Sequence, residues 1–136
     1  HLELGYLTTH PLPSSFNGFP KLHHLVLAFI QFSRKYILPG LMAKCPKLVT
    51  LKLDCCYRMG HIVIDVPNLE TLFISSVLLY DNIDSIAFRD VRNVKSIEVR
   101  LCNSLEKSST IDAFNNLANS RHLQCTKFGD VYFKVN

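Results

Sequence analysis

The chain has 136 residues, 48% of them hydrophobic, and a formal charge of +4 at pH 7. It is long enough for a single domain with its own core and too apolar to be intrinsically disordered. Its basic residues are spread along the chain without aromatic interleaving, which argues against nucleic acid as a partner and gives only a weak preference for acidic ones.

The five cysteines (Cys45, Cys55, Cys56, Cys102, Cys125) are odd in number, two are adjacent, and no Asn-x-Ser/Thr glycosylation acceptor occurs. These facts favour a reducing intracellular compartment, cytoplasm or nucleus, over a disulfide framework. No apolar run is long enough to span a bilayer and no segment reads as a signal peptide, so no membrane is expected as a partner.

In chain order, Leu2-x-Leu4 already resembles the end of a repeat, so the sequence reads as a fragment of a longer protein. A full phrase follows: Phe19-Pro20-Lys21-Leu22-His23-His24-Leu25-Val26-Leu27. Beyond it, Ile37, Leu38, Leu41, Met42 and Cys45 fall at helical spacing. They predict a short helix at about 36–44, with Pro39 early enough to be tolerated in its first turn. The phrase recurs as Cys45-Pro46-Lys47-Leu48-Val49-Thr50-Leu51-Lys52-Leu53 and as Val66-Pro67-Asn68-Leu69-Glu70-Thr71-Leu72-Phe73-Ile74. The return between them is His61-Ile62-Val63-Ile64-Asp65, too short and too β-branched for a helix, which predicts an extended segment. Residues 80–90 fit either a short helical turn or an extended stretch. A fourth copy, Val91-Arg92-Asn93-Val94-Lys95-Ser96-Ile97-Glu98-Val99, keeps the apolar positions and loses the proline. Ser109-x-x-Asp112 resembles a capping box, and Ile111, Phe114, Leu117 and Ala118 give a second helical face. Leu123-x-x-Thr126-x-Phe128 reads as a degenerate last copy in which Thr126 breaks the pattern.

The first three full copies follow apolar-Pro-x-Leu-x-x-Leu-x-Leu/Ile. The first leucine position of the phrase falls at Leu22, Leu48, Leu69 and Val94, at intervals of 26, 21 and 25 residues. That is the spacing of a leucine-rich repeat. In x-x-Leu-x-Leu the leucines alternate and face one side of a short strand. Stacked copies then build a continuous core that no single copy could form. The expected fold is α/β: an irregular, right-handed leucine-rich-repeat solenoid. Short parallel strands line one face, and short helices or extended returns line the other. Residues 1–107 would hold about four to five repeats. Residues 108–136 would form a C-terminal helix plus strand, the last degenerate repeat.

Catalytic or metal chemistry finds little support. Cys56 and Cys102 each lie three residues past a last core position (Leu53, Val99), where the repeat consensus places Asn or Cys. A buried thiol that helps satisfy loop backbone groups explains them. Cys55-Cys56 with His61 matches no common zinc spacing. His23 and His24 are adjacent in a strand and point to opposite faces, so they cannot share a ligand. No phosphate-binding glycine loop and no Gly-x-Ser-x-Gly elbow occurs. The expectation is therefore a chain with no enzymatic activity, no cofactor and no metal.

What remains is the outer face of the strands, whose residues alternate with the core leucines. The central column is Glu3, Val26, Lys52, Phe73, Glu98 and, at the degenerate copy, Lys127. The column before it is His24, Thr50, Thr71 and Ser96; the one after is Ala28, Asp54, Ser75 and Arg100. From these, His24, Val26, Thr50, Lys52, Asp54, Thr71, Phe73, Ser75, Glu98 and Arg100 are the candidate partner-binding residues. A merely solvated face explains most of them. Phe73, facing solvent amid Thr, Lys and Ser, is the one expected anchor.

The chain resembles plant F-box proteins with leucine-rich repeats, of the kind that often carry a C-terminal FBD region. The resemblance rests on Leu12 to Leu22, Leu38 to Leu48, Leu53-Asp54-Cys55-Cys56 and Ile62 to Glu70, and it fades after Ser108. It implies the substrate-recognition part of a cullin-based ubiquitin-ligase adaptor. The partner would be a protein substrate on the strand face. The Skp adaptor and the cullin would be reached only through an F-box that these residues do not contain. An alternative is a leucine-rich-repeat segment of a plant nucleotide-binding immune receptor, although such receptors usually lack the Cys-Pro-x-Leu phrase. A third reading, a redox or metal protein using Cys55 and Cys56, belongs to a different class. Bound zinc or iron would distinguish it.

Overall fold

The computed structural model describes residues 1–76, 83–90, 92–101, 125–128 and 131–133. In chain order the elements are β1 (Leu2–Gly5), β2 (Thr8–Thr9), β3 (His24–Ala28), β4 (Gln31–Phe32), α1 (Ile37–Ala43) and β5 (Thr50–Asp54). They continue with β6 (Gly60–Asp65), β7 (Thr71–Ser76), β8 (Ile83–Asp90), β9 (Ser96–Leu101), β10 (Cys125–Phe128) and β11 (Val131–Phe133).

The leucine pairs decide where strands form. Leu25 and Leu27, Leu51 and Leu53, Leu72 and Ile74, and Ile97 and Val99 are all buried, and the residues between them are not. This period-two alternation requires an extended backbone with one face on the core. The five strands that carry the phrases pair in parallel in the order β1-β3-β5-β7-β9. Leu25 sits opposite Leu51, Leu51 opposite Leu72, and Leu72 opposite Ile97, so each copy of the phrase lies in register with the next. The result is a β-solenoid of roughly four turns.

Two devices bound a strand of this sheet: β3 and β5 have both, β7 the first and β1 the second. At its start, the apolar-Pro-x-Leu words fold into tight turns. The N–H groups of Leu22, Leu48 and Leu69 donate to the carbonyls of Phe19, Cys45 and Val66, each at 3.1 Å. Proline occupies the second position of each turn, where its fixed φ is already correct. The carbonyls of His23, Val49 and Glu70 then each accept two N–H groups from the next turn of the solenoid. Two asparagines add a side-chain rung: Asn68 Nδ2 donates to the Pro46 carbonyl at 2.9 Å, and Asn93 Nδ2 to that of Pro67 at 2.8 Å.

At its far end, the chain turns through a left-handed residue: Tyr6 (φ 56°), Phe29 (φ 54°) and Cys55 (φ 49°). Each is a non-glycine in a costly region, and each donates its N–H to the next turn. The acceptors are the carbonyls of Ala28 (3.0 Å), Asp54 (2.8 Å) and Ser75 (2.8 Å). Recurrence at one repeat position makes this corner architectural rather than local strain.

The returns vary. β2 and β4 pair in parallel, and Tyr57 bridges to Gln31 beside them. α1 occupies the second return, within the span its helical spacing predicts. β6 is extended as its β-branched sequence requires, and residues 83–90 are extended too, so that β6 and β8 pair in parallel. Phe32, Ile37, Leu38, Met42, Ile62, Ile64, Ile86 and Phe88 close the core from this side. Gly18 (φ +81°) is required where the first return passes α1, because a Cβ there would run into the Lys44 backbone.

Two features refine the expected architecture. α1 is the one helix among the described residues, and most of the returns there are extended, so the described architecture is nearly all β rather than α/β. The physical reason is the β-branched content of Ile62-Val63-Ile64, which favours pairing with β8 over coiling. At the C-terminal end, β10 joins β9 in parallel and places Thr126 opposite Ile97, as the degenerate copy requires. β11 then folds back antiparallel on β10, which the repeat pattern does not foresee. The helix expected after Ser109 lies outside the described residues.

Leu72 is 1% exposed. Leu72→Ala should lower the unfolding free energy by about 2–5 kcal/mol in urea titration.

Candidate functional site

The parallel register turns the residues between the leucines into rows across the sheet. Glu3, Val26, Lys52, Phe73, Glu98 and Lys127 are successive backbone partners in one row. His24, Thr50, Thr71 and Ser96 form the row before it, and Ala28, Asp54, Ser75 and Arg100 the row after. The structure thus brings all ten candidate residues onto neighbouring positions of one sheet. His24, Thr71 and Arg100 are exposed, and Val26, Thr50, Lys52, Asp54, Phe73 and Glu98 are half-buried. Ser75 is the exception at 4% exposure, so it offers no contact surface. Its short side chain lies between Asp54 and Arg100 in the flanking strands, and its carbonyl receives the Cys55 corner.

Phe73 does not stand alone in solvent. Lys52 Nζ lies 4.9 Å from its ring centroid and the Arg100 guanidinium carbon 5.6 Å, from the two strands that flank β7. Both are cation–π distances. Each cation also has a carboxylate two residues away on its own strand, hence on the same face. Lys52 Nζ is 3.7 Å from Asp54 Oδ2, and Arg100 Nε donates to Glu98 Oε1 at 2.5 Å. Lys95 and Glu70 pair across strands at 2.8 Å where β9 and β7 begin. At the first strands, the His1 and His24 rings lie 6.2 Å apart, and His1 Nε2 is 3.7 Å from Glu3.

The cysteines sit apart from this face. Cys56 is fully buried; its thiol donates to the Leu27 carbonyl at 3.3 Å, tying one turn to the turn before it. Burial pushes the Cys56 thiol up to about 11, against the opposing effect of backbone hydrogen bonds at Ile30 and Asp54. Burial also raises Cys45, with a backbone hydrogen bond from Phe19 opposing it. Both shifts favour the neutral thiol over the thiolate. Among the described residues, no group of three or more His, Cys, Asp or Glu side chains could hold a metal ion.

A concavity of about 300 Å³ opens on the return side between α1, β6 and β8. Pro39, Met42, Ala43, Val63, Asp65 and Arg89 line it. The sequence carries no signal for this groove, because it arises where a helical return meets extended ones. Nor does spacing alone reveal the contact of Arg100 with Phe73, which runs diagonally between strands.

No protein-family model, curated protein or solved structure matches the chain. No helix among the described residues is long and apolar enough to cross a membrane.

The raised Cys56 pKa has a definite sign. The neutral thiol is favoured in the folded state, so its stabilisation is complete below its ordinary value of 9.0 and is lost as pH rises towards about 11. Urea midpoints of the native chain should therefore fall between those values, and Cys56→Ala should flatten that slope. At pH 8, alkylation followed by peptide mapping should leave Cys56 unmodified until the chain unfolds.

Proposed function

We propose that this chain is a protein-binding module of the leucine-rich-repeat class and acts by holding a partner on its strand face, without catalysis or cofactor. The observation that carries the reading is the row Val26, Lys52, Phe73, Glu98. It crosses four strands in unbroken register and carries a half-buried phenylalanine between two cations. A rigid sheet that presents an aromatic anchor inside a polar rim is the arrangement of an interface hot spot. Solenoids lend themselves to this use because their variable positions lie on one continuous face while the core positions repeat.

Within that class, the recurrent Pro phrase and the Cys55-Cys56 corner support the substrate-recognition part of an F-box adaptor of a ubiquitin ligase. Docking to the Skp adaptor and cullin would then belong to an F-box elsewhere in a longer protein. An intracellular site of action, cytoplasm or nucleus, accords with the buried thiols of Cys45 and Cys56, which form no disulfide.

Phe73→Ala should weaken partner binding by about 1–2 kcal/mol. Its melting temperature should move far less than that of Leu72→Ala, the neighbour that faces the core. Equal destabilisation by the two substitutions would mean that Phe73 serves the fold and not a partner. The adaptor role has its own check: a tagged full-length parent should co-purify with the Skp adaptor, and failure to do so removes the ligase assignment while leaving the binding face.

A further inference from the structure

Lys52 and Arg100 approach the Phe73 ring from opposite flanking strands, and neither is fully used by its own carboxylate. The Lys52–Asp54 separation of 3.7 Å is an ion pair without a hydrogen bond. Arg100 directs Nε to Glu98, and among the described residues no carboxylate engages its two Nη groups. The cations also stand further into solvent. Lys52 and Arg100 side chains are 43% and 54% exposed, against 32% and 29% for Asp54 and Glu98. The carboxylates are therefore less accessible than the cations they pair with, and the accessible charge beside the Phe73 ring is mainly positive.

From this geometry we infer that the strand face takes a carboxylate from an acidic segment of a protein partner, held between Lys52 and Arg100 above the Phe73 ring. The inference rests on the strand face being the partner-binding surface and names the chemistry that surface selects. Arg100 offers a planar pair of Nη donors suited to a carboxylate, Lys52 adds a point charge, and the ring packs against the apolar stem that carries the acid. Because Asp54 and Glu98 already orient the cations, little side-chain freedom is lost on binding. A basic partner is disfavoured, since the two cations are more accessible to it than the carboxylates are. The overall charge of +4 assists approach of an acidic one.

The test is a selection of random displayed peptides against the immobilised 136-residue chain, followed by affinity measurement on one enriched peptide by fluorescence polarisation. Enriched peptides should carry Asp or Glu beside an apolar residue. Their affinity should fall about tenfold in each of Lys52→Gln and Arg100→Gln, with circular dichroism spectra unchanged. Binding should also weaken steeply from about 0.05 to about 0.5 M salt. The double reversal Lys52→Glu with Arg100→Glu should enrich basic peptides instead. Enrichment of peptides without acids, or of none at all, overturns the inference. Peptides that lose affinity in Phe73→Ala but not in either glutamine variant remove the carboxylate clamp and leave the binding face standing. Peptides indifferent to all three substitutions remove both.

Discussion

Each turn of this solenoid is held to the next by a parallel strand register that permits no slip. The backbone partners Leu25, Leu51, Leu72 and Ile97 form one line, and a one-residue shift of any strand would place its core side chains in solvent. Two boundary devices protect that register. A proline-containing turn starts β3, β5 and β7 at a set place, and a left-handed corner ends β1, β3 and β5 by donating an N–H to the following turn. The positive φ at Tyr6, Phe29 and Cys55 is a recurrent cost that the fold accepts because each corner satisfies a backbone donor the strand has just released.

With both ends of the strand held, the return between them is free to change. It is a short helix in one turn and an extended strand in the next two, while the repeat length ranges from 21 to 26 residues. Side-chain chemistry selects among these options. Ile37, Leu38 and Met42 bury one side of a single helix, whereas Ile62 and Ile64 of β6 bury alternate positions and leave the backbone to pair with β8. The junction of the two kinds of return produces the groove beside Val63 and Arg89.

The same register that secures the core also assembles the candidate site. Lys52, Phe73 and Glu98 are 21 and 25 residues apart in sequence but are direct cross-strand neighbours. Charge placement follows from the pleat: Lys52 with Asp54, and Glu98 with Arg100, are two residues apart and therefore share a face. The Phe73 ring placed between such pairs is half-buried and still reachable.

The spacing of the leucines was enough to read the parallel strands, their order and their register, because alternation in a strand maps sequence directly onto faces. It was likewise enough to place the helix after Phe32 and the extended return before Val66, where β-branching leaves no other economical conformation. The row containing Phe73 was legible for the same reason. Other features depended on the third dimension. Ser75 has the sequence context of a surface residue and is buried, because the side chains flanking it are longer than its own. Arg100 reaches Phe73 along a diagonal that no spacing rule encodes. The antiparallel β11 and the return-side groove likewise arise from how unlike segments meet. Repetition makes local sequence sufficient where each turn sees a copy of itself. Where a turn meets something different, only the packed structure decides the outcome.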